Sequence, residues 1–257
     1  MNHHAVITDK AWLRTYLMRD PALHIYELGD LDDFFWPSTR WFALDDRAVV
    51  LLYQPVGALP ALLAFGDVTP LHELLAELRD QLPPRIHAHL SPGLIDTLAV
   101  RYRDESRGDY LKMVLADRTR LPETPGIVGL SSTDRPELEA FYAASYPANW
   151  FDPRMLETGQ YVGIREHGLV AAGGVHVYST SERIAALGNI AVAPEHRGRH
   201  LGTRVTAALC RSLLGVGIEH VGLNVRADNR AAIACYERLG FATVARFEEH
   251  LLVAGAG

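Results

Sequence analysis

The stretch that decides the fold is GNIAVAPEHRGRHLG, residues 188–202. Ile190, Ala191 and Val192 prolong an apolar, strand-like run, and the following proline ends it because proline cannot donate to a sheet ladder. A basic turn with glycines comes next, and residues 203–214 have the composition of a helix. The first turn of a helix presents unpaired backbone N–H groups at the positive end of its dipole. The stretch therefore predicts a strand, a phosphate-binding turn and a helix.

The turn supplies the side chains and the backbone freedom that phosphate binding needs. Arg197 and Arg199 carry charged, forked donors that suit phosphate oxygens. Glycine lets the backbone approach a ligand closely. The residues that we expect to contact a phosphate-bearing ligand here are Arg197, Gly198, Arg199, His200, Leu201, Gly202 and Thr203.

A second motif, DNRAAIACYERLGF, occupies residues 228–241. Asp228 is predicted to cap the N-terminus of a helix, and Gly240 stands where a helix C-cap belongs. Asn229 and Tyr236 are seven positions apart, which is about two helical turns, so they share one face of that helix.

Both motifs resemble those of the GCN5-related N-acetyltransferase (GNAT) superfamily. The first is similar to its acyl-CoA pyrophosphate loop, Gln/Arg-x-x-Gly-x-Gly/Ala, with Arg197 in the first position and Gly202 in the last. The second is similar to its Asn-x-x-Ala-x-x-x-Tyr-x-x-x-Gly-Phe helix. His200 departs from the pattern because it replaces the middle glycine. It either tolerates the required backbone angles, with its ring available to a phosphate, or weakens cofactor binding.

The resemblance implies acetyl-CoA as the co-substrate, lying between two strands that splay apart. Backbone N–H groups of Ile190, Ala191 and Val192 would bind the pantetheine. Asn229 would contact the pantetheine or phosphate region, and Tyr236 would protonate the leaving thiolate. Tyrosine has an ordinary pKa of ~10 against ~8.5 for a thiol, so a hydrogen-bonding role for this residue stays open, as does simple core packing.

The base that deprotonates the acceptor amine is less clearly marked. The predicted strand RIAALGNIAV has no carboxylate or histidine after its arginine. Asn189 can orient a water molecule there but cannot itself take a proton. We therefore name Asn189 as a second candidate catalytic residue. The ionisable residues nearest in sequence are Glu157, His176 and Glu182, and deprotonation through solvent is an equally good alternative.

The acceptor pocket is expected at YPANWFDPRML, residues 146–156, where the family has its acceptor-binding segment. Tyr146, Trp150 and Phe151 would line it, with ordinary structural packing as the alternative for each.

Composition excludes several classes of protein. The net charge of −6 argues against general nucleic-acid binding. The two cysteines are interpreted as reduced core residues, and no C-x-x-C pair or H-E-x-x-H motif predicts a metal site. No apolar run approaches the ~18 residues that span a bilayer, and no signal peptide is recognisable. We expect a cytoplasmic protein, monomeric or homodimeric, without a membrane partner.

Length and motif placement suggest two domains. Residues 1–118 predict an α+β lobe, TRLPETPG provides a linker at 119–126, and residues 127–257 carry both motifs. The fold class is mixed α+β, and the resemblance implies a mixed, mostly antiparallel sheet in the second domain. The order of elements in the first half is compatible with a degenerate copy, as in the two-lobed FR47-like and glycine N-acyltransferase-like members of the superfamily.

The function that the resemblance implies is an acyl-CoA-dependent N-acyltransferase. It would move acetyl directly from acetyl-CoA to the amine of a small molecule or amino acid in a ternary complex. The alternative is a non-catalytic, acyl-CoA-binding regulatory protein, which the missing base and His200 favour.

Overall fold

A computed structural model describes residues 4–255, apart from the side chains at 106 and 107, and these residues form two compact units. Unit 1 consists of the chain up to Lys112, Arg226–Asp228 and the residues from Val244 onward. Unit 2 consists of Met113–Val225 and Asn229–Thr243.

Unit 1 alternates strands and helices. Its strands are β1 (Ala5–Ile7), β2 (Thr39–Leu44), β3 (Ala48–Tyr53), β4 (Ala61–Ala64), β5 (Arg85–Leu90) and, as far as Lys112, β6 (Tyr102–Leu115). Its helices are α1 (Lys10–Leu17), α2 (Ile25–Gly29), α3 (Val68–Leu78) and α4 (Ile95–Ala99). Leucines on one face of α3 fall at helical spacing and bury themselves against β2–β5, which forms the apolar core of the unit.

Unit 2 contains the motif-bearing elements. Its strands are β7 (Val128–Gly129), β8 (Val162–Arg165), β9 (Leu169–Ser179), β10 (Ile184–Val192), β11 (His220–Arg226) and the start of β12 (Phe241–Ala254). Its helices are α5 (Arg135–Ser145), α6 (Leu201–Gly215) and α7 (Arg230–Arg238), and a 3-10 helix spans Pro153–Thr158.

The sheet of unit 2 is mixed and mostly antiparallel, as predicted. Strands β7, β8, β9 and β10 are antiparallel neighbours in that order, whereas β10 and β11 run parallel. Helix α6 covers one face of this sheet, because a Cβ added at Gly173 of β9 would meet Val205 and Leu209 of α6. The opposite face belongs to the site described below.

The order of elements in unit 1 recurs in unit 2. Strands β1 to β4 are antiparallel neighbours and β4 is parallel to β5, as β7 to β10 and β11 are. Helices α1, α3 and α4 hold the places of α5, α6 and α7, and the 3-10 helix stands in for α2. This recurrence supports the interpretation of the first half as a degenerate copy of the second.

Strand β12 explains why the units do not follow the boundary predicted at 119–126. Its residues 248–253 pair antiparallel with β5, from Glu248 opposite Leu90 to Val253 opposite Arg85. The end of the chain, predicted to lie in the second domain, therefore completes the sheet of unit 1. Backbone hydrogen bonds between residues so distant in sequence leave no mark in local composition.

Candidate active site

Strands β10 and β11 separate at one end. Their parallel register runs from Ile184 opposite His220 to Leu187 opposite Leu223. Strand β10 then continues to Val192, still paired with β9 on its other side through Ala191 opposite Ala172. The separation that the sequence predicted for the pantetheine site is thus present. It exposes one backbone edge of Ile190, Ala191 and Val192 to a ligand.

The basic turn after β10 has backbone angles that favour glycine. Gly198 has φ of 79° and His200 has φ of 59°, in the left-handed region. His200 is also the N-cap of α6, and within the described chain its side chain makes no capping hydrogen bond. The histidine therefore tolerates the angles that the middle glycine of the motif supplies. The first-turn N–H groups of Leu201, Gly202 and Thr203 have no side-chain cap, and the helix start offers them to an anion.

The two arginines of the turn are already engaged. Arg197 donates from Nε to the carbonyl oxygen of Val192 at 3.4 Å and so holds the turn against the strand. Arg199 forms a two-pronged pair with Glu166, each N–O distance being 2.9 Å. Hydrogen bonding to Glu166 raises the pKa of Arg199. A carboxylate thus occupies the donor fork that a phosphate would need.

Glu166→Gln is expected to tighten acetyl-CoA binding about two- to fivefold, because exposed ion pairs are worth about 0.2–1 kcal/mol and the neutral amide releases Arg199. The gain should shrink as ionic strength rises. Calorimetric titrations at low and high salt measure it. Glu123→Gln is the matched control, since Glu123 pairs with Arg211 of helix α6, away from the basic turn, at 2.6 Å. Equal changes in both variants would contradict the idea that Glu166 competes with phosphate.

Helix α7 begins differently from the prediction. Asn229, not Asp228, is the N-cap, with its Oδ1 accepting from the N–H of Ala232 at 3.1 Å. Asp228 is drawn away because it pairs with Arg226 through two contacts of 3.0 and 2.6 Å. The predicted contact between Asn229 and the cofactor stays a prediction.

The far end of α7 fixes Tyr236. Gly240 follows the helix with φ of 93°, as expected of a residue at a C-cap. Tyr236 is buried, and its ring centroid lies 5.8 Å from that of Phe241. Cys235 joins α7 to the first turn of α6, because its sulfur lies 3.1 Å from Oγ1 of Thr203. The two motifs therefore meet side by side.

Asn189 is the centre of a buried hydrogen-bonded cluster. It is 4% exposed and has φ of 54°, at a bulge where the pairing of β10 with β9 shifts register. Its carbonyl oxygen accepts from the hydroxyl of Tyr142 at 2.8 Å, and its Nδ2 donates to the hydroxyl of Tyr161 at 3.3 Å. Its Oδ1 accepts from the N–H of Trp150 at 3.1 Å. These bonds hold a non-glycine residue in a conformation that costs free energy.

The predicted acceptor residues reach this cluster in part. Phe151 packs between the rings of Tyr142 and Tyr161, at centroid distances of 5.3 and 5.6 Å. Trp150 is bound through its backbone while its side chain is 53% exposed. Tyr146 ends α5 and is also exposed. The structure thus brings Trp150 and Phe151 to Asn189, and all three acceptor assignments stay predictions.

The cluster is built from neutral groups, with the carboxyl of Asp152 as the exception. Burial raises the pKa of Tyr142 and of Tyr161, so both hydroxyls keep their protons. Burial lowers the pKa of His176, and the neighbouring Asn189 side chain raises it by less. Burial opposes ionisation of Asp152, yet hydrogen bonds from Arg154 leave the pKa of its carboxyl below the ordinary value. Near pH 7 the site therefore offers hydroxyls and an uncharged imidazole.

Sequence reasoning missed Tyr142 and Tyr161. The signal that could have found Tyr161 is glycine inside a strand, which marks the close approach of another group. A Cβ on Gly174 would overlap the ring of Tyr161, and a Cβ on Gly188 would overlap the ring of His176. Both glycines thus face the same cluster.

Metal-binding clusters and membrane-spanning helices are both absent from the part of the chain that the structure describes. Within residues 4–255 no cluster of three or more His, Cys, Asp or Glu side chains is arranged to hold a metal ion. The described helices include none that is long and apolar enough to cross a membrane.

Parts of this chain are similar to known proteins. The model of the acetyltransferase (GNAT) family matches residues 127–241. The mycothiol acetyltransferase of Streptomyces coelicolor is 36% identical over 94 residues, which are 37% of this chain and 29% of that protein. The chain thus spans less than a third of the length of this curated relative.

Solved structures match this chain over nearly its whole length. The X-ray structure of a Drosophila protein matches with a TM-score of 0.71 and 16% identity, over 98% of this chain and 99% of the other. A tandem GNAT protein from the clavulanic acid biosynthesis pathway matches with a TM-score of 0.59 and 17% identity, over 99% of both chains. At these identities the likeness concerns the fold.

Proposed function

We propose that this chain transfers acetyl from acetyl-CoA to the amine of a small molecule, since its residues 127–241 match the model of the acetyltransferase (GNAT) family. The observation that carries the proposal is the pairing of two features in unit 2. Strand β10 runs beyond its register with β11, and α6 begins without a side-chain cap directly after the basic turn. A pantetheine arm needs the first feature, and a pyrophosphate needs the second.

Unit 1 offers a contrast that supports unit 2 as the acyl-CoA lobe. Helix α3, the counterpart of α6, is capped by Asp67, whose Oδ1 accepts from the N–H of Thr69 at 3.0 Å. A carboxylate at this helix start repels phosphate. The register of β4 with β5 also continues to the last residue of β4, Ala64 opposite Leu90. Unit 1 therefore lacks both features over its described residues.

The chemistry that we assign to unit 2 is direct transfer. The free backbone edge of Ile190, Ala191 and Val192 binds the pantetheine and polarises the thioester carbonyl. The acceptor nitrogen attacks that carbonyl, and the carbon–sulfur bond breaks. Tyr236 donates its hydroxyl proton to the departing thiolate. Asn189 orients the reacting groups from its fixed position at the bulge.

The acceptor is a small amine. The cluster around Asn189 is lined by aromatic rings and neutral hydroxyls, which suit a compact, uncharged amine nitrogen beside a polar substituent. The curated relatives are named for acetyl transfer in mycothiol chemistry. Their acceptor therefore belongs on the first panel of amines, together with amino acids, polyamines and aminoglycosides.

The deciding experiment measures thiol release from acetyl-CoA with that panel, beside calorimetric binding of acetyl-CoA. Turnover with one acceptor is the expected result. Tight binding without turnover on the whole panel would favour a non-catalytic acyl-CoA-binding protein instead. Absence of binding would overturn the acyl-CoA proposal itself.

Tyr236→Phe is expected to lower kcat by roughly 100-fold, as loss of a general acid does, while the Kd for acetyl-CoA changes little. The reason is that the hydroxyl acts on the thiolate only as the bond breaks. Single-turnover kinetics and calorimetry separate the two quantities. Tyr178→Phe is the control, because Tyr178 lies next to the last residue of β9 and has no proposed role in the reaction. Parallel loss of rate and affinity would count against the acid role.

A further inference from the structure

His176 occupies an unusual position in the sheet of unit 2. Strand β9 pairs with β10 through Val177 opposite Ala186 and Val175 opposite Leu187, so His176 is an extra residue at a bulge. Its imidazole lies flat against Gly188, where any Cβ would overlap the ring atoms Cγ, Cδ2 and Nε2. The glycine at 188 is therefore needed to admit this ring.

One nitrogen of the ring is left without a partner. Nε2 of His176 is out of reach of solvent, and no group in the described part of the chain hydrogen-bonds to it. A buried polar atom that makes no hydrogen bond costs roughly 1–3 kcal/mol. Such an atom in a native fold is explained when a ligand supplies the missing partner.

This nitrogen lies beside the point where β10 leaves its pairing with β11. Gly188 is the first residue of β10 beyond its register with β11, and Asn189 follows it. On the proposed function, the thioester carbonyl lies along this edge of the strand. We infer that Nε2 of His176 is the general base that accepts the proton lost by the acceptor amine, an inference that rests on the proposed function.

The other candidate bases fit less well. Glu182 lies in the turn that joins β9 to β10, where its N–H bonds to Oγ of Ser179, at the opposite end of β10 from Asn189. Glu157 is an exposed residue of the 3-10 helix. The described strand β10 has neither a carboxylate nor a histidine of its own.

The proton balance of the step is complete. The lone pair of the amine nitrogen forms a bond to the thioester carbon, and the carbonyl π electrons move to oxygen. The nitrogen, now bonded to carbon and positively charged, is a much stronger acid than a free ammonium. It gives its proton to the lone pair of Nε2. Collapse of the adduct breaks the carbon–sulfur bond, and Tyr236 protonates the thiolate. Both groups are reset as the site opens to release the product: His176 gives its proton to the entering water, from which the tyrosinate regains one.

The lowered pKa of His176 fits this role. At pH 7 the imidazole is uncharged and ready to accept, and the acidic adduct does not require a strong base. The other ionisable groups of the cluster do not titrate near neutrality, since burial raises the pKa values of Tyr142 and Tyr161 and the pKa of Asp152 lies below its ordinary value. We therefore assign the fall of kcat below pH 6.5, the acidic limb of the pH–rate profile, to protonation of His176.

The test compares His176→Gln with the wild type across pH, using the acceptor found by the amine panel. Glutamine keeps a polar group but takes no proton. We expect kcat at pH 7 to fall by about 100-fold, the acidic limb to vanish, and the Kd for acetyl-CoA to stay within about threefold. His220→Gln is the matched control, because His220 also lies on a strand with a pKa lowered by burial but starts β11 at the far end.

A second variant separates a chemical role from a structural one. His176→Ala leaves a space of imidazole size beside Gly188, so added imidazole should restore part of the rate. Substituted imidazoles should do so in the order of their basicity, an order that structural repair would not follow. A His176→Gln variant that keeps its rate and acidic limb would overturn the inference alone. A wild-type protein inactive on every amine would overturn the proposed function and this inference together.

Discussion

Gly202→Glu should abolish acetyl-CoA binding in any practical assay. Gly202 lies in the uncapped first turn of α6, where the pyrophosphate is proposed to bind. A carboxylate about 4 Å from a phosphate costs about 4 kcal/mol at an effective dielectric constant near 20, which corresponds to roughly a 1000-fold loss of affinity. The fold itself should tolerate the change, because a Cβ here meets only the side chain of Val192, at an ordinary 3.6 Å. Calorimetry measures the loss.

The matched control is Gly215→Glu at the other end of the same helix. Gly215 is the last residue of α6, and a Cβ added there has no described atom within 4 Å. It introduces the same charge into the same helix, far from the proposed phosphates. Wild-type affinity in Gly215→Glu with none in Gly202→Glu is the expected pattern. Retained affinity in Gly202→Glu would mean that the phosphates bind elsewhere.

Gly240→Ala should lower the free energy of unfolding by roughly 2–6 kcal/mol, a large effect for a single methyl group. Two penalties add. The φ of 93° is strained for any side chain, at about 1–3 kcal/mol. The new Cβ would also overlap the carbonyl oxygen of Asp117, at about 1–3 kcal/mol for overpacking. The backbone of Asp117 cannot swing aside, because the N–H groups of Ala116 and Asp117 both donate to the carbonyl of Gly240 at 3.0 Å.

Gly217→Ala isolates the first penalty. Gly217 has φ of 88°, yet a Cβ there has open space within 4 Å of the described atoms. The free energy of unfolding, measured in urea by circular dichroism, should fall by about 1–3 kcal/mol for this variant and by clearly more for Gly240→Ala. Equal shifts would show that Asp117 yields and that backbone angle alone decides the cost. The comparison matters for function because Gly240 ends the helix that carries Tyr236.

Residues close in sequence were sufficient to predict where the strand and the helix of the two motifs end. The proline at 194 and the apolar run before it predicted the end of β10, and Gly240 predicted the end of α7. The mixed, mostly antiparallel sheet and the two-lobed likeness implied by the motifs were confirmed. These features depend on residues close in sequence, or on a pattern shared by the whole superfamily.

Features that depend on distant residues were not predictable in the same way. Asp228 looks like a helix cap when only the local sequence is considered. In the structure it pairs with Arg226, and Asn229 caps the helix instead. The approach of His176 to Gly188 depends on a bulge between two strands, which changes the facing of every residue after it. No periodicity in either strand encodes that shift.

The pairing of β12 with β5 has a consequence for how the protein is made. On the ribosome, residues 4–112 emerge long before residues 244–254, which complete their sheet. We expect the N-terminal unit, although it is synthesised first, to finish folding last. Until then β5 presents an unpaired edge, which is the kind of surface that other nascent chains and chaperones bind. A premature stop codon shortly before Val244 would therefore impair the folding of unit 1 more than the folding of unit 2.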